Sequence, residues 1–299
     1  MSVLYIGVCS FGNKSLLQSG FYPKGVLSIA NRLQHYSSRF NALELDSPFY
    51  ALPDRAAVFQ WIVDTPADFF FGMRVPSIFT FHRMRWENFP QWLLRTLPKE
   101  LQGQALRRED LSKEQRRALF EEFINVIEPL HRRKKLGYLL FQFPPWWNFR
   151  REHLVYLRRI REQTGPLPLA VEIRHRSWLE EGNRDHFLGL LREENIAYVA
   201  VDQPQLAWTI PDECPVTAEW GSVVRFHGRN AAVWEKLGAS TAEKSNYYYS
   251  EEELLPWRDR LLGMKEKIPK LFLMFNNCVG GNAVKNAAEM RALLQKDGE

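Results

Sequence analysis

The chain has 299 residues, 45% of them hydrophobic and 25% charged, with a net charge of +5. This balance is that of a globular protein and argues against both disorder and a membrane protein. Three cysteines without a CxxC pair argue against a disulfide framework or a thiolate zinc site.

The opening MSVLYIGVCSFG has no basic leader, and no stretch approaches the roughly 18 apolar residues of a membrane helix. A cytoplasmic protein with no membrane partner is therefore expected. LYIGVCS from Leu4 reads as a first strand, and a helix over about 26–38 leads to a second, NALELD from Asn41, with Glu44 near its end. PFYALP follows, placing Phe49 and Tyr50 just beyond that strand. After a helix over about 54–64 comes DFFFGMRV from Asp68, which ends on Arg74. From Thr80 to Leu111 runs a long connection, expected to be an insertion carrying a short helix or a lid.

The second half repeats the alternation. A helix over about 113–131 precedes GYLLFQF from Gly137, which carries Gln142 and is followed by Trp146 and Trp147. A helix over about 151–163 precedes LAVEIRH from Leu169, an apolar run that turns into Glu172, Ile173, Arg174 and His175. A helix over about 183–194 leads to IAYVAVD from Ile196, ending on Asp202, and the next link holds three prolines and leaves little room for a helix. VVRFHG from Val223 carries Arg225 and His227; a helix over about 252–266 separates it from LFLMFNN from Leu271, with Asn276 and Asn277. The turn Gly280-Gly281-Asn282 opens a last helix over about 282–296, with Asn282 as its expected N-cap.

Eight strands alternating with helices imply parallel crossovers and a single (β/α)₈ TIM-type barrel domain over 1–299, somewhat irregular at the long connection and the proline-rich link. An open, doubly wound sheet is the alternative. In a barrel, alternate side chains face inward, and the C-terminal strand ends form the active face. Glu44, Arg74, Gln142, Glu172, Arg174, Asp202, Arg225, His227 and Asn276 or Asn277 then converge on one polar mouth. Opposite charges about 4 Å apart attract by about 4 kcal/mol at an effective dielectric near 20, so such a cluster is tenable. An internal ion-pair network that merely closes the barrel is the alternative; the functional reading is favoured because catalytic and ligand-binding groups normally sit at that end of a barrel.

Glu172, Glu44, Asp202 and His227 form the candidate catalytic set, with Glu172 as general acid or base. Arg74, Arg174, Arg225 and Gln142, with Asn276, Asn277 and the Gly280, Gly281, Asn282 turn, would hold an anion or orient a substrate, and Tyr50 and Trp146 would rim the mouth. Glu44, Glu172, Asp202 and His227 are acceptable ligands for Mg²⁺, Mn²⁺ or Zn²⁺, but three arginines would repel a cation, so a divalent metal is not favoured. There is no GxSxG elbow. The groups suit hydrolysis or isomerisation of an anionic substrate, such as a phosphorylated sugar or a nucleic-acid fragment. The alternative is a noncatalytic nucleic-acid or polyanion binding protein. The basic stretches at 107–117, 131–135 and 150–162 mix Glu with Lys and Arg at helical spacing and read as solvated helix faces.

IGVCSFG with GFYPKG, LELDSPFYALP, FFFGMRVPSIFTFHR, LGYLLFQFPPWW, LAVEIRHRSW, VVRFHGR, NYYYSEEEL and LFLMFNNCVGGNAVKNAAEM, in that order, resemble the YecE-like proteins, the domain-of-unknown-function family numbered seventy-two. The resemblance implies a TIM-type barrel, a cytoplasmic protein and no assigned reaction. It places the family's polar residues on Glu44, Glu172, Arg174, Arg225, His227, Asn276 and Asn277. Two positions depart from it: the first strand ends Gly7-Val8-Cys9-Ser10-Phe11, and Arg74 stands where the family usually has Lys. Arg does not readily give up a proton, so no Schiff base is available there.

Overall fold

The computed structural model describes residues 2–26, 28–236 and 238–295. The expected runs become β1 (Val3–Val8), β2 (Ala42–Leu45), β3 (Phe70–Arg74), β4 (Leu136–Gln142), β5 (Leu169–Glu172), β6 (Ile196–Asp202), β7 (Ser222–Phe226) and β8 (Lys270–Phe275). Neighbours pair in parallel in the order β1-β8-β7-β6-β5-β4-β3-β2. The sheet curls into a nearly closed barrel, which removes the open-sheet alternative.

The two ends of that order, β1 and β2, are joined by side chains instead of a backbone ladder. The Asn41 amide accepts from the Ile6 N–H and donates to the Leu4 carbonyl, both at 2.8 Å. The buried Tyr36 hydroxyl accepts from the Val8 N–H at 2.9 Å and donates to the Ala42 carbonyl at 2.8 Å. The strands approach so closely that a Cβ on Gly7 would lie 1.9 Å from the Ala42 oxygen. Two side chains thus satisfy backbone groups that a ladder would otherwise pair.

Inside, the barrel is layered along its axis. Tyr5 stacks on Phe272 at 4.8 Å, with Phe70 at 4.6 Å from Tyr5 and Tyr138 at 5.3 Å from Phe272. This aromatic plug fills the lower half. Gly72 makes room for it, since a Cβ there would meet the Tyr138 ring at 2.4 Å. The charged strand ends lie above the plug.

The seven expected helices appear as Ile29–Ser37, Arg55–Val63, Lys113–Arg132, Arg151–Thr164, Asn183–Glu193, Glu251–Lys265 and Asn282–Gln295. Leu27 and Lys296, at the edges of two expected helices, lie outside the described residues. Asn282 is a correction: its φ of −60° and ψ of −40° put it within the helix, so it is not an N-cap. The proline-rich link after β6 has no helix, as expected.

The long connection carries the short helix Gln91–Leu94 and a hairpin of Met84–Arg85 with Ala105–Leu106. It lies along helix Lys113–Arg132, where the Trp92 indole donates to Glu122 at 2.6 Å and Gln115 donates to Thr96 at 2.9 Å. Of this connection only His82 lines the mouth, so the lid expectation does not hold. Among the described residues no helix is long and apolar enough to cross a membrane.

Replacing Asn41 by Ala leaves the Ile6 N–H and Leu4 carbonyl unpaired at the seam. Urea unfolding should show a loss of about 1–3 kcal/mol. An unchanged midpoint would mean that the seam does not depend on this amide.

Candidate functional site

At the level just above the aromatic plug sits Arg225 of β7, 1% exposed, between two carboxylates that are fully buried. Its Nη2 donates to Glu44 Oε1 of β2 at 2.6 Å, and its Nη1 donates to Glu172 Oε2 of β5. Glu44 Oε2 accepts from the Tyr138 hydroxyl at 2.7 Å. Glu172 Oε1 faces Gln142 Nε2 at 2.9 Å, Arg174 Nε at 2.6 Å and His227 Nε2 at 3.1 Å. One cation and two anions from three strands would be untenable unpaired in this interior. Arg174 balances the set.

Burial pushes the Glu172 pKa up, but the Arg174 and Arg225 guanidiniums and His227 outweigh that and hold it well below the carboxylate range. Glu172 is therefore ionised, saturated and out of reach of the cavity. This corrects its expected role as general acid or base. Glu44 is corrected because it is fully buried, with its oxygens taken by Arg225 and Tyr138 and absent from the cavity wall, and Arg225 is no direct anion holder: all three form a sealed floor.

Above the floor opens a cavity of about 290 Å³, whose walls include Arg74, His82, Gln142, Arg174, His227 and Asn276. Tyr50 stands on its rim, as do Phe49, Trp208 and Trp234. Arg74 donates to Asp46 at 2.9 Å and lies 3.8 Å over the Phe49 ring, while its buried Nε has no protein acceptor. Arg174 sits 5.5 Å from the Trp234 ring. Arg74 Nη2 and Arg174 Nη1 have no acceptor among the described residues. Such unused N–H groups beside a cavity are what a carboxylate or phosphate would take.

Two imidazoles share this cavity. Burial and Arg174 push the His227 pKa down to about 3 against the opposing pull of Glu172. Its Nδ1 faces the Asn276 amide nitrogen at 3.0 Å, and its Nε2 faces both Glu172 Oε1 at 3.1 Å and Arg174 Nη2 at 3.2 Å. Burial, then Arg74 and Arg174, push His82 down to about 4. The Thr80 hydroxyl donates to the Ser77 carbonyl at 3.1 Å, so at 3.0 Å it accepts from His82 Nδ1–H. That leaves the His82 Nε2 lone pair without a protein partner.

Strand parity decides which other expected residues reach the mouth. Asp202 points outward and is saturated by Arg229 at 2.9 Å, the Tyr249 hydroxyl at 2.7 Å and the Trp257 indole. By alternation the inward residue there is Gln203, whose amide is buried and without a protein partner. Asn276 faces inward and Asn277 outward, where its amide donates to the Tyr247 carbonyl and to Asn286, both at 2.9 Å. The Gly280-Gly281-Asn282 turn is also elsewhere: it packs on helix Lys14–Gln18, and the Ser15 hydroxyl takes the Gly280 N–H at 2.5 Å. A Cβ on Gly281 would meet Ser19 at 2.7 Å. Trp146 is 66% exposed and lies 5.9 Å from His82 without lining the cavity.

The sequence reading passed over His82, Gln203, Trp208 and Trp234. His82 follows closely on the third strand, in a loop of the active face, and that position was the available signal. Among the described residues no group of three or more His, Cys, Asp and Glu side chains is arranged to hold a metal.

The family described as Protein of unknown function DUF72 matches residues 5–299. The UPF0759 protein YunF of Bacillus subtilis is 30% identical over 296 residues, which are 98% of this chain and 95% of that protein. A crystal structure of a DUF72 family protein from Enterococcus faecalis superposes with a TM-score of 0.80 at 27% identity, covering 98% of this chain and 96% of that one. One from Thermotoga maritima gives a TM-score of 0.76 at 30% identity, covering 98% and 99%.

Two outcomes follow from the site's electrostatics. Glu172→Gln keeps the shape but removes one charge of a buried pair, so it should cost about 3–5 kcal/mol of stability; a variant as stable as the parent would show that the floor is not held by this charge. Because His82 and His227 are neutral when folded but take up protons near 6.5 when unfolded, the unfolded chain binds more protons below that pH. Stability should therefore fall as the pH drops from about 6.5 toward 4, less steeply in His227→Asn. Denaturant unfolding at a series of pH values reads this, and identical slopes would refute it.

Proposed function

This chain belongs to the DUF72 family, and from that premise we propose that its barrel mouth is an active site for a small anionic substrate, one bearing a phosphate or carboxylate. The carrying observation is that Arg74, Arg174 and the lone pair of His82 meet at one cavity with hydrogen-bonding capacity that no protein group uses. A volume of about 290 Å³ is at the small end for ligand sites. It suits a substrate of phosphorylated-sugar size and not a nucleic-acid oligomer.

In this reading Arg74 and Arg174 clamp the anion, Gln142 and Asn276 orient the substrate, and the rim aromatics cover it. His82 Nε2 takes a proton from the substrate or from water, as isomerisation or hydrolysis requires. Burial, reinforced by the two nearby guanidiniums, keeps the ring neutral, which is the form a base needs at neutral pH. Glu172 and Arg225 act at one remove by fixing Arg174 and His227. A noncatalytic anion-binding protein would use the same clamp without the proton transfer.

The test is a thermal-shift screen of phosphorylated and carboxylated small molecules, followed by titration of the hits. Arg174→Ala should weaken a hit about tenfold to a hundredfold, the worth of one to two charge-assisted hydrogen bonds. His82→Gln should keep affinity within a few-fold while removing turnover. If no anion raises the melting temperature, or Arg174→Ala binds like the parent, the mouth is not an anion site; turnover that survives in His82→Gln removes the base.

A further inference from the structure

A second cavity, of about 410 Å³, lies outside the barrel between helices Lys113–Arg132 and Arg151–Thr164. Its walls carry Arg108, Lys113, Arg116, Arg117 and Arg159 against the single acid Glu162. The fold thus brings two separate basic stretches, 107–117 and 150–162, onto one groove. Arg117 is paired with Glu121 at 2.8 Å. Arg108, Lys113, Arg116 and Arg159 have no carboxylate within ion-pair distance among the described residues, so four cations face this one groove without a partner.

Two of the unpaired charges, Arg108 and Arg116, are also held in place. Arg108 lies over the Tyr156 ring at 4.8 Å, and the Tyr156 hydroxyl is fixed to the Phe79 carbonyl at 2.6 Å. Arg116 Nη1 donates to the Arg108 and Leu111 carbonyls at 3.0 and 2.5 Å, which leaves its other N–H groups free. A second observation is independent of the first. Lys113 and Arg116 occupy the first turn of a 20-residue helix, where the positive end of the helix dipole disfavours cations. Glu114 of the same turn is fully exposed, turned to the Ser112 hydroxyl at 2.9 Å and absent from the groove wall. Burial and Arg108 lower the Arg116 pKa, as expected where positive charge is in excess.

We propose that this groove is a second ligand site, distinct from the barrel mouth, which binds a short chain of phosphates, either a free oligophosphate or the phosphate tail of a nucleotide. Several phosphates in series match several cations spaced along two walls, and an anion at this helix start relieves both the dipole and the cation repulsion. A single carboxylate would leave most of the charge unanswered. The site shares one segment with the mouth, since Phe79 lines the groove and His82 the mouth.

Tripolyphosphate and a nucleoside triphosphate, each titrated calorimetrically into the full chain at low ionic strength, test this. The titrations are run in the parent, in Arg174→Ala, where the mouth is silenced, and in Arg159→Glu. Binding should persist in Arg174→Ala, weaken at least tenfold in Arg159→Glu and in the Arg108→Ala, Arg159→Ala pair, and decline with added salt. Equal affinity for both probes marks the free chain as the ligand; tighter binding of the nucleotide means that its base or sugar adds contacts on the Phe79 and Tyr156 floor. Binding that is absent, that is indifferent to Arg159→Glu, or that disappears in Arg174→Ala overturns the proposal.

Discussion

The charged floor of the barrel mouth is arranged around one buried guanidinium. Arg225 faces Glu44 on one side and Glu172 on the other, so a single side chain of β7 ties β2 and β5 across the interior. With two anions to one cation, the set is short of positive charge until Arg174 joins Glu172 from above. The floor therefore dictates where Arg174 lies. Through Glu172 it also positions the His227 ring, and through His227 the amide of Asn276. The cavity wall is in effect the upper surface of a charge-balanced layer.

Parity along the strands was readable in the sequence where apolar and polar residues alternate. Glu172 and Arg174 share a face with Ile173 between them, and Arg225 and His227 do the same around Phe226; both pairs point inward. In Ile196–Asp202 every residue is buried and the polar one comes last, so periodicity gives no phase there. Asp202 was taken as inward when Gln203 is. The same ambiguity joined Asn277 to Asn276, although the two sit on opposite faces. Depth along the barrel axis was not readable at all. Glu172 and Arg174 differ by two residues, yet one is sealed beneath the cavity and the other lines it. That difference turns a candidate acid into a structural anion.

The remaining errors come from loops, where no period exists. The Gly-Gly-Asn turn offers a backbone shape that could meet an anion, but tertiary packing on Ser15 and Ser19 uses it up. His82 lies within a connection that was treated as one object, an insertion or a lid. Only its first residues belong to the mouth, while the rest covers a helix. The basic stretches likewise read as solvated faces one at a time. Their significance depends on two of them sharing a groove, which no local pattern records. The position where the resemblance has Lys and this chain has Arg74 becomes intelligible in the same way: the guanidinium pairs with Asp46 while it lies flat on Phe49, two contacts that suit a planar cation better than an ammonium.

The depressed pKa values of His82 and His227 bear on how the proposed anion site would handle a proton. A neutral imidazole here is the response to burial first and to the positive potential of the neighbouring guanidiniums second. On the proposed reading, an arriving anion offsets the guanidiniums for the side chains that face it, so His82 would become easier to protonate as the anion binds. Anion binding and proton uptake would then be linked, each favouring the other by the same free energy. A base whose affinity for a proton rises once the anion is in place is well suited to moving a proton only in the occupied site. The buried pair of Arg225 with its glutamates takes no part in that exchange, because its charges are already satisfied. It supplies the fixed background against which the upper layer can titrate.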